Sequence, residues 1–402
     1  MMRTAIRAAT LFDGERRIDD PLVVVEDGRV AEVRSGHIQP PSDAELVELP
    51  GATLLPGLVD THVHLAFDGG WDPVATLAER DDDEVMAAMG VAAEAQLQAG
   101  VTTVRDLGDR DYLSLRFREE FTGSTPTVVA AGPPITTDGG HCHFLGGVAA
   151  GGVRGARAAV REHAERGVDV IKVMASGGMM TEGTLVHEPQ FAPAELRAIV
   201  DEAHRYGLPV TAHAHAAQAV SDALAAGVDG IEHCTFITED GVRPVDELIE
   251  RLVERRVAIG LTVGMRPVEG ALPPPLLMRI LPDVMALSAR LIRAGALVVA
   301  GTDAGIAPVK PHGVLPVGLQ HLVELGMEPL VALRTGTSVA AGVCGLGDRK
   351  GRVAASFDAD LLAVDGDPTV DITALHRPVA VFQSGRRVDS GLMADSRART
   401  RQ

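Results

Sequence analysis

The sequence is short of cysteine, has fewer basic than acidic residues, and lacks a long apolar run near its first residue. Its three cysteines, Cys142, Cys234 and Cys344, are scattered and odd in number, which fits a reducing compartment better than a disulfide framework. The 37 basic and 55 acidic residues give a net charge of −18, which argues against binding to nucleic acid or to an anionic membrane. Arg7 interrupts the first apolar stretch, and we recognise no signal peptide or membrane span. We therefore expect a cytoplasmic protein with no nucleic-acid or membrane partner.

Apolar residues make up 46% of the 402 residues, which is enough for a large globular core. Within the sequence, a helical pattern ends five times at a glycine, and a strand-like run follows each glycine at once. Glycine is typical of the position just past a helix end, where the backbone becomes left-handed. Helices that alternate with strands indicate a parallel sheet. The five glycines are Gly100, Gly167, Gly207, Gly227 and Gly295.

Eight strands of this kind are predicted, with helical segments between them at 84–99, 193–206 and 276–294. Eight strand–helix units over residues 57–350 are typical of an α/β fold, the (β/α)8 barrel of TIM type, which commonly has about 250 residues. The strands are expected near residues 54–64, 102–107, 127–132, 169–175, 209–215, 230–236, 257–263 and 296–303.

The two ends of the chain have a different pattern, made of short strands and turns. Asp27 and Gly28 stand between two apolar runs and predict a β-hairpin. Residues 351–393 repeat the pattern of residues 1–56, and we expect both segments to build one small β-sandwich domain. Residues 394–402 are charged and have no apolar pattern, so we expect a flexible tail there.

Polar side chains that can bind metals stand at the ends of several predicted strands. In a parallel barrel, the carboxyl ends of the strands form the active site. His62 and His64 are two residues apart on a strand, so both side chains would point to the same face at the barrel mouth. A divalent metal there would offset the desolvation of two imidazoles, and core histidines bonded to backbone carbonyls are the alternative. The strand-end residues are His62, His64, Lys172, His213, His215, His233 and Asp303.

Lys172 and Asp303 each allow two interpretations. A lysine inside an apolar strand is costly to bury as a cation. Lys172 could pair with a neighbouring carboxylate, or its neutral amine could react with carbon dioxide and bridge two metals as a carbamate. Asp303 could cap a helix or a turn after the last strand. Its position at the end of that strand favours a second role, in which it binds a metal and accepts a proton from the attacking water.

Seven short motifs along the chain combine these residues with glycines. They read Pro-Gly-Leu-Val-Asp-Thr-His-Val-His-Leu at 56–65, Gly-Val-Thr-Thr-Val-Arg-Asp-Leu-Gly at 100–108, Asp-Gly-Gly-His at 138–141, Ile-Lys-Val-Met-Ala-Ser-Gly-Gly at 171–178, Val-Thr-Ala-His-Ala-His at 210–215, Gly-Ile-Glu-His-Cys at 230–234, and Gly-Thr-Asp-Ala-Gly at 301–305. Together they resemble the amidohydrolase superfamily of metal-dependent hydrolases. Within it, the chain looks similar to the branch of imidazolonepropionase-like enzymes and Xaa-Pro or Xaa-Arg dipeptidases. The resemblance extends over nearly the whole chain.

The resemblance implies a binuclear metal centre. Histidine with carboxylate suits zinc, and manganese, cobalt or iron would fit the same ligands. Lys172, as a carbamate, and a hydroxide would bridge the two ions, and Asp303 would move a proton from that hydroxide to the leaving amine. Imidazolonepropionase itself looks like a one-metal member without the lysine, so Lys172 points to the two-metal dipeptidases and carboxypeptidase-like members. The further ligands implied are His62, His64 and Asp303 for the more buried ion, and His213 and His233 for the more exposed one.

The resemblance also implies residues that contact the substrate. His141, in a glycine-rich loop after the third strand, would reach the substrate carbonyl, and a solvated loop histidine is the alternative. His143 is either a second contact or a surface residue. His215 stands where many members of the family have a different polar or aromatic residue, and it could donate a hydrogen bond to a substrate carboxylate. Arg105 is a further candidate for that carboxylate, with a salt bridge to Asp106 as the alternative.

These features predict a hydrolase that cleaves the amide bond of a small molecule, such as a dipeptide or an N-acyl amino acid, by attack of a metal-bridging hydroxide. The same site would suit a cyclic amide, a carbamate, a urea or a lactone. A non-catalytic scaffold that has lost its metals is a third hypothesis, and the retention of all six ligand candidates argues against it. The resemblance also suggests assembly into a homo-oligomer.

Overall fold

The computed structural model describes residues 3–271 and 273–388. Residues 389–393 of the predicted terminal domain, and the tail predicted at 394–402, lie outside the described residues. In chain order the strands are β1 (Arg3–Phe12), β2 (Arg17–Asp19), β3 (Pro21–Glu26), β4 (Arg29–Ser35), β5 (Glu45–Pro56), β6 (Leu58–Val63), β7 (Val101–Asp106), β8 (Thr127–Ala130), β9 (Ile171–Met174), β10 (Val210–Ala216), β11 (Gly230–Thr238), β12 (Gly241–Val242), β13 (Ala258–Thr262), β14 (Leu297–Gly301), β15 (Leu361–Asp365), β16 (Pro378–Gln383) and β17 (Arg386–Arg387).

Helices lie between most of the inner strands and after the last of them. In chain order the α-helices are α1 (Pro73–Glu79), α2 (Asp82–Gln98), α3 (Leu113–Glu120), α4 (Gly152–Arg166), α5 (Pro193–Arg205), α6 (Ala217–Ala226), α7 (Asp246–Glu254), α8 (Pro275–Arg293), α9 (Leu315–Glu324), α10 (Pro329–Thr335) and α11 (Ser338–Val343). Two short 3₁₀ helices span His143–Leu145 and Ile372–His376. None of the helices in the described part of the chain is both long and apolar enough to cross a lipid bilayer.

Strands from both chain ends form one mixed sheet. Its order is β17, β16, β15, β5, β1, β3 and β4, with β2 paired to β1. β15 runs antiparallel to β5, with Leu362 opposite Leu55. β5 runs parallel to β1, with Leu54 opposite Leu11. The two ends of the chain therefore meet in a single sheet, which we call the end sheet.

Alternate residues of the end sheet face two different cores, because successive side chains of a strand point to opposite faces. Leu54 and Leu361 belong to a core that the end strands form among themselves. Their neighbours Leu55 and Leu362 belong to the main core, which they share with the inner strands and helices. One face of the end sheet therefore packs against the rest of the molecule.

The hairpin predicted at Asp27 and Gly28 is present between β3 and β4. Glu26 pairs with Arg29 across the turn. The φ angles of Asp27 and Gly28 are 48° and 80°, so both central residues are left-handed. Aspartate followed by glycine is a preferred pair for such a turn, whose twist matches that of the two strands.

The inner strands form two parallel sheets, with the orders β6, β7, β8 and β9, β10, β11, β13, β14. Backbone hydrogen bonds connect the two sheets at both of their edges. At one edge, the Ile135 N–H donates to the Lys172 carbonyl at 2.8 Å, and the Met174 N–H donates to the Ile135 carbonyl at 2.9 Å. At the other edge, the Asp303 N–H donates to the His62 carbonyl at 2.7 Å. All eight strands run parallel, so their carboxyl ends lie on the same side of the molecule.

The predicted positions of the inner strands agree with the structure except at the first one. We expected one continuous strand at 54–64, but β5 ends at Pro56 in the end sheet and β6 begins at Leu58 among the inner strands. A Cβ atom on Gly57 would lie 2.1 Å from Thr102 Oγ1. The chain therefore passes from one sheet to the other at a position that only glycine fits, and the prediction of one strand is wrong.

The five glycines predicted to end helices all have positive φ angles, as a left-handed position after a helix requires. α2, α5 and α8 also lie where helical segments were predicted, within two residues at each end. The φ angles are 84° at Gly100, 84° at Gly167, 71° at Gly207, 89° at Gly227 and 77° at Gly295.

Replacing Gly100 with alanine should destabilise the protein more than the same change at Gly167. Both glycines have a φ of 84°, so either replacement strains the backbone by about 1 kcal/mol. A Cβ at Gly100 would also lie 2.6 Å from Cδ2 of the buried Leu362, whereas a Cβ at Gly167 would have nothing within 4 Å. Overpacking of this kind adds about 1–3 kcal/mol. Thermal unfolding of both variants measures the difference. Equal unfolding temperatures would show that Leu362 of β15 does not restrict the residue at position 100.

Candidate metal centre

Three buried side chains from two neighbouring strands form the first group of possible metal ligands. His62 lies in β6, His64 directly follows that strand, and Asp303 follows β14. The Nε2 atoms of His62 and His64 lie 3.4 and 3.2 Å from the same Oδ1 atom of Asp303. The three donor atoms lie within 4.8 Å of one another. Two imidazoles and a carboxylate are ligands that zinc and similar divalent ions prefer, so this group fits a metal ion.

Hydrogen bonds on the far side of each ring orient these two imidazoles. His62 Nδ1 lies 2.9 Å from Glu232 Oε2, and His64 Nδ1 lies 2.9 Å from the Gly108 carbonyl oxygen. Because a carboxylate and a carbonyl only accept, both Nδ1 atoms carry the proton and donate it. The Nε2 atoms then face Asp303 with their lone pairs, which is the usual arrangement of histidines that bind a metal.

The electrostatics of this first group favour a cation among its donor atoms. Burial acts to raise the pKa of Asp303, but His62 and His64 hold it well below its usual value. Burial also acts to lower the pKa of His64, and the Asp303 carboxylate outweighs burial and raises it. The Asp303 carboxylate thus favours a proton on His64. A metal ion bound among the same atoms would neutralise the carboxylate in the same way.

Three histidines on the neighbouring strands β10 and β11 form the second group. His213 and His215 lie in β10 and His233 in β11, and their ring nitrogens lie within 4.8 Å of one another. His215 Nδ1 is 2.9 Å from Thr235 Oγ1, and His233 Nδ1 is 3.1 Å from Thr262 Oγ1. Burial is the main cause that lowers the pKa of His215 to about 4 and the pKa of the other two well below the usual value. Neutral imidazoles can bind a metal without first losing a proton.

His215 lies within this second group, whereas the family resemblance implied a contact with the substrate for it. Its ring stacks on that of His233, with 4.4 Å between the ring centroids and 19° between the planes. Its centroid is 4.7 Å from that of His213. His215 is therefore positioned to offer a nitrogen to the same metal ion as its two neighbours.

Lys172 lies in β9, close to both groups, with 1% of its surface exposed. The neighbouring carboxylates have other partners, since Glu232 pairs with Arg105 and Asp303 lies against the first two histidines. Over the described residues, no carboxylate lies within salt-bridge distance of the lysine, which removes support for the salt-bridge interpretation. Burial lowers the pKa of its amine to about 8. Its charge in turn adds to burial in lowering the pKa of histidines in both groups.

Arg105 pairs with Glu232 and not with Asp106. Its Nε donates to the Thr61 carbonyl at 2.7 Å, its Nη2 donates to Glu232 at 2.9 Å, and the residue is 4% exposed. Asp106 instead accepts from the Leu65 backbone N–H. The alternative of a salt bridge with Asp106 is wrong, because the guanidinium compensates the buried charge of Glu232. Its contact with a substrate carboxylate stays a prediction.

Glu232 is a residue of the site that the sequence analysis did not identify. It is 1% exposed, and besides His62 and Arg105 it accepts from Thr211 Oγ1 at 2.7 Å. Burial acts to raise its pKa, but Arg105 and His62 lower it well below the usual value, so the carboxylate stays charged. A Cβ on Gly260 of the adjacent strand would lie 2.0 Å from Glu232 Oε2. The Glu232 carboxylate therefore occupies space that is free because residue 260 is a glycine and has no Cβ atom.

Asp60 is a second residue that the sequence analysis missed. Its carboxylate accepts from the Thr302 N–H at 3.0 Å, from Thr302 Oγ1 at 2.6 Å and from the His62 N–H at 3.2 Å. Burial raises its pKa to about 7. By joining β6 to the residue before Asp303, Asp60 holds the two halves of the first ligand group at a constant separation.

His141 lies beside the second group, and its neighbour His143 lies outside it. His141 is 4% exposed, its Nδ1 is 3.2 Å from Thr181 Oγ1, and its ring centroid is 4.8 Å from that of His213. Burial, followed by the charge of nearby His215, lowers its pKa to about 3. His141 is thus not a solvated loop histidine. His143 is exposed and lines a cavity at the mouth of the site.

Comparison with known proteins shows the family of this chain. The model of the amidohydrolase family matches residues 53–391. Ochratoxinase from Aspergillus niger is 29% identical over 358 residues, which cover 82% of this chain and 73% of the relative. Its crystal structure has a TM-score of 0.82 at 25% identity and covers 96% of this chain and 95% of the other.

Two further relatives belong to the branch that the motifs predicted. The crystal structure of a Xaa-Pro dipeptidase with bound methionine in the active site has a TM-score of 0.85 at 26% identity and covers 96% of this chain and 100% of that one. Imidazolonepropionase from Cereibacter sphaeroides is 25% identical over 417 residues, which cover 92% of this chain and 94% of the relative. The chain belongs to the amidohydrolase family, and it is a hydrolytic enzyme. The resemblance inferred from the motifs is confirmed.

Replacing Glu232 with glutamine should weaken metal binding about 10- to 100-fold, because the residue that orients His62, a candidate ligand, loses its charge. A matched control is Glu202→Gln, since Glu202 is also buried at 5% exposure but accepts from Arg157 and Arg161 on the helical side of the molecule. Equilibrium dialysis against zinc, followed by elemental analysis, gives both affinities. Equal affinities of the two variants would show that Glu232 does not act through His62.

Proposed function

We propose that this enzyme hydrolyses the amide bond of a small substrate, such as a dipeptide or an N-acyl amino acid, at a centre of two divalent metal ions. The observation that carries the proposal is the convergence of two separate ligand groups near one buried lysine. Zinc fits the nitrogen and carboxylate donors of both groups. The residues that would hold the ions are His62, His64 and Asp303 for one, and His213 and His233, with His215 as a further nitrogen, for the other.

Lys172 is proposed to join the two groups as a carbamate. The neutral amine attacks carbon dioxide, one N–C bond forms, and one proton leaves, so that the side chain ends in an anionic group with two oxygens. A pKa of about 8 leaves more of this amine unprotonated at neutral pH than an ordinary lysine has. The carbamate oxygens would supply the anionic donors that the second group, made of three histidines, lacks.

Bound divalent ions would supply water with a lowered pKa and a polarised amide carbonyl. Asp303 would accept the proton of the attacking water and then donate it to the leaving nitrogen. His141, beside the second group, would donate a hydrogen bond to the carbonyl oxygen. The water oxygen adds to the carbonyl carbon, the C–N bond breaks, and the products are a carboxylic acid and an amine.

The names of two relatives support an amide substrate. One is a Xaa-Pro dipeptidase, and its structure superposes on nearly the whole chain. The other is an ochratoxinase, which matches over 82% of the chain. Hydrolysis of a cyclic amide, a carbamate, a urea or a lactone is the alternative, because the same donor groups could act on any of these carbonyls. His143, exposed at the mouth, would contact the substrate in either case.

Further features of the molecule are part of the same proposal. We infer that the hydrogen bonds at both sheet edges close the eight inner strands into a barrel over residues 57–350. The end sheet would curve over its own core as a sandwich-like domain of residues 1–56 and 351–393. The three buried free cysteines support a cytoplasmic location, and assembly into a homo-oligomer stays a prediction.

A screen of dipeptides and N-acyl amino acids with the zinc-loaded enzyme, run beside Lys172→Ala, tests this proposal. We expect hydrolysis by the native enzyme and a loss of roughly 100-fold or more in kcat/KM for the variant, because the metal centre loses an anionic bridge. A ¹³C NMR signal of a carbamate should appear in the native enzyme supplied with ¹³C-labelled bicarbonate and be absent from the variant.

The control for this experiment is Lys350→Ala. Lys350 is also buried, at 4% exposure, but it pairs with Asp358 and Asp360 away from the site. This variant should lose stability, while its folded fraction keeps both metals and its activity. Full activity and two metal equivalents in Lys172→Ala would contradict the two-metal proposal.

A further inference from the structure

Two residues of the loop after β9 hold His141 in place. This loop, residues 175–192, connects β9 with α5. Gln190 Oε1 accepts from the His141 backbone N–H at 2.5 Å, and Gln190 Nε2 donates to the Met174 carbonyl at 2.8 Å. Thr181 contacts the imidazole itself, with its Oγ1 3.2 Å from His141 Nδ1. Gln190 therefore ties the backbone of His141 to the end of β9, and Thr181 reaches the ring.

The hydroxyl of Thr181 has two neighbours. The Cys142 N–H donates to Oγ1 at 2.9 Å, and His141 Nδ1 is the second contact. Among the residues that the structure describes, Oγ1 has no other hydrogen-bond partner. Thr181 is 7% exposed, and a buried hydroxyl whose hydrogen bond is not made costs about 1–3 kcal/mol. Since the Cys142 N–H can only donate, the hydroxyl proton has His141 Nδ1 as its acceptor.

This contact determines which nitrogen of His141 carries the proton. A neutral imidazole has one N–H, so the nitrogen that accepts a hydrogen bond cannot donate one. If Thr181 donates to Nδ1, the proton of His141 lies on Nε2. With a proton on Nδ1 instead, the hydroxyl proton of Thr181 would have no acceptor in the described part of the chain. The first assignment satisfies both the hydroxyl proton and Nδ1.

The backbone beside the ring limits its rotation. A Cβ at Gly178 would lie 2.2 Å from His141 Nε2 and 2.5 Å from Cε1, so the imidazole packs directly against this glycine. The ring centroid lies 4.8 Å from that of His213, a candidate ligand of the second group. Nε2 makes no hydrogen bond to another described residue, and it is not fully enclosed. A proton on Nε2 is therefore left for a molecule bound beside the second group.

We propose that Thr181 is a positioning residue that holds His141 as the Nε2–H tautomer, so that this N–H can donate to the carbonyl oxygen of the substrate. Thr181 acts through His141 and would not contact the reacting atoms. The use of the N–H in the reaction rests on the proposed amide hydrolysis, whereas the tautomer does not depend on it.

¹⁵N NMR of the zinc-loaded enzyme, labelled at the histidine nitrogens, measures the tautomer without a substrate. The chain has 14 histidines, and the signals of His141 are identified by their loss in His141→Gln. The native enzyme and Thr181→Ser should both carry the proton on Nε2 alone. Thr181→Val neither donates nor accepts, so its His141 shifts should be averaged between the two tautomers. A proton on Nδ1 in the native enzyme, or an unchanged Nε2–H signal in Thr181→Val, would overturn the assignment.

A double-mutant cycle separates an effect through His141 from a general effect on the loop. On an amide that the screen identifies, His141→Ala should lower kcat about 100- to 1,000-fold, as the loss of a donor to a developing oxyanion does. Thr181→Val should lower kcat about 10-fold and change KM by less than about 3-fold, because the donor is present but no longer held. Thr181→Ser should keep most of the native kcat.

The decisive variant of the cycle carries both changes. Added to His141→Ala, Thr181→Val should lower kcat by less than about 2-fold, because the residue through which Thr181 acts is already absent. A full loss of about 10-fold in that background would show that Thr181 acts on the loop and not through His141.

Thr335→Val is the matched control for the loss of a buried hydroxyl. Thr335 is 4% exposed, and its Oγ1 donates to the Ala332 carbonyl at 2.7 Å within α10, outside the candidate metal centre. Both valine variants should lose about 1 kcal/mol of stability, but Thr335→Val should keep the native kcat and the native His141 signals. Equal losses of kcat in the two variants would contradict the positioning role.

The outcomes for this inference and for the proposed function are separate. An enzyme that cleaves no amide, yet has an Nε2–H tautomer that depends on Thr181, would contradict the proposed function and leave the assignment of the tautomer intact. Amide hydrolysis by an enzyme whose His141 tautomer is independent of Thr181 would contradict this inference and leave the hydrolase proposal intact.

Discussion

The arrangement of the site depends on the hydrogen bonds that the buried carboxylate of Glu232 accepts. A buried carboxylate is unfavourable by several kcal/mol unless its oxygens are paired and hydrogen-bonded. Glu232 meets this requirement with donors from three other strands, namely His62 in β6, Arg105 in β7 and Thr211 in β10. One charge thus holds together strands that are distant in sequence. Glu232 also sets the tautomer of His62. Its carboxylate contacts Nδ1 and can only accept a hydrogen bond, so Nδ1 carries the proton.

The other properties of the site follow from this buried network. Because Arg105 pairs with Glu232, the charge of this buried carboxylate is compensated within the site. Glu232 and Asp303 already have partners, and no carboxylate among the residues that the structure describes lies within salt-bridge distance of the buried Lys172. A lysine in that environment has a lowered pKa and favours a neutral, reactive amine. The chemistry proposed for Lys172 is thus a consequence of how the surrounding charges are paired.

Much of the fold could be predicted from the sequence, because its signals are local. Glycine after a helix and an apolar run after the glycine place most strands to within a few residues. His62 and His64 could be placed together because strand alternation holds over two residues. The passage between the two sheets has one local signal, the pair Pro56 and Gly57 inside an apolar run. The restriction to glycine comes from Thr102, which is distant in sequence and could not be predicted.

The roles of Glu232 and Arg105 could not be predicted for a related reason. Glu232 and His233 are adjacent, so regular alternation would place them on opposite faces. His233 has a φ of 68°, which breaks the alternation, and both residues reach the ring of His62. Asp303 is left-handed too, with a φ of 60°. Unusual backbone angles of this kind collect at functional sites, where surrounding contacts maintain them, and the local sequence does not reveal them.

The most direct test of the two-metal centre is the anomalous scattering of zinc in crystals of the metal-loaded enzyme. We expect two peaks, one among His62, His64 and Asp303 and one beside His213 and His233. Electron density should continue from Lys172 Nζ into a planar group between the two peaks. A single peak, or a Lys172 side chain that ends in a bare amine, would contradict the binuclear centre.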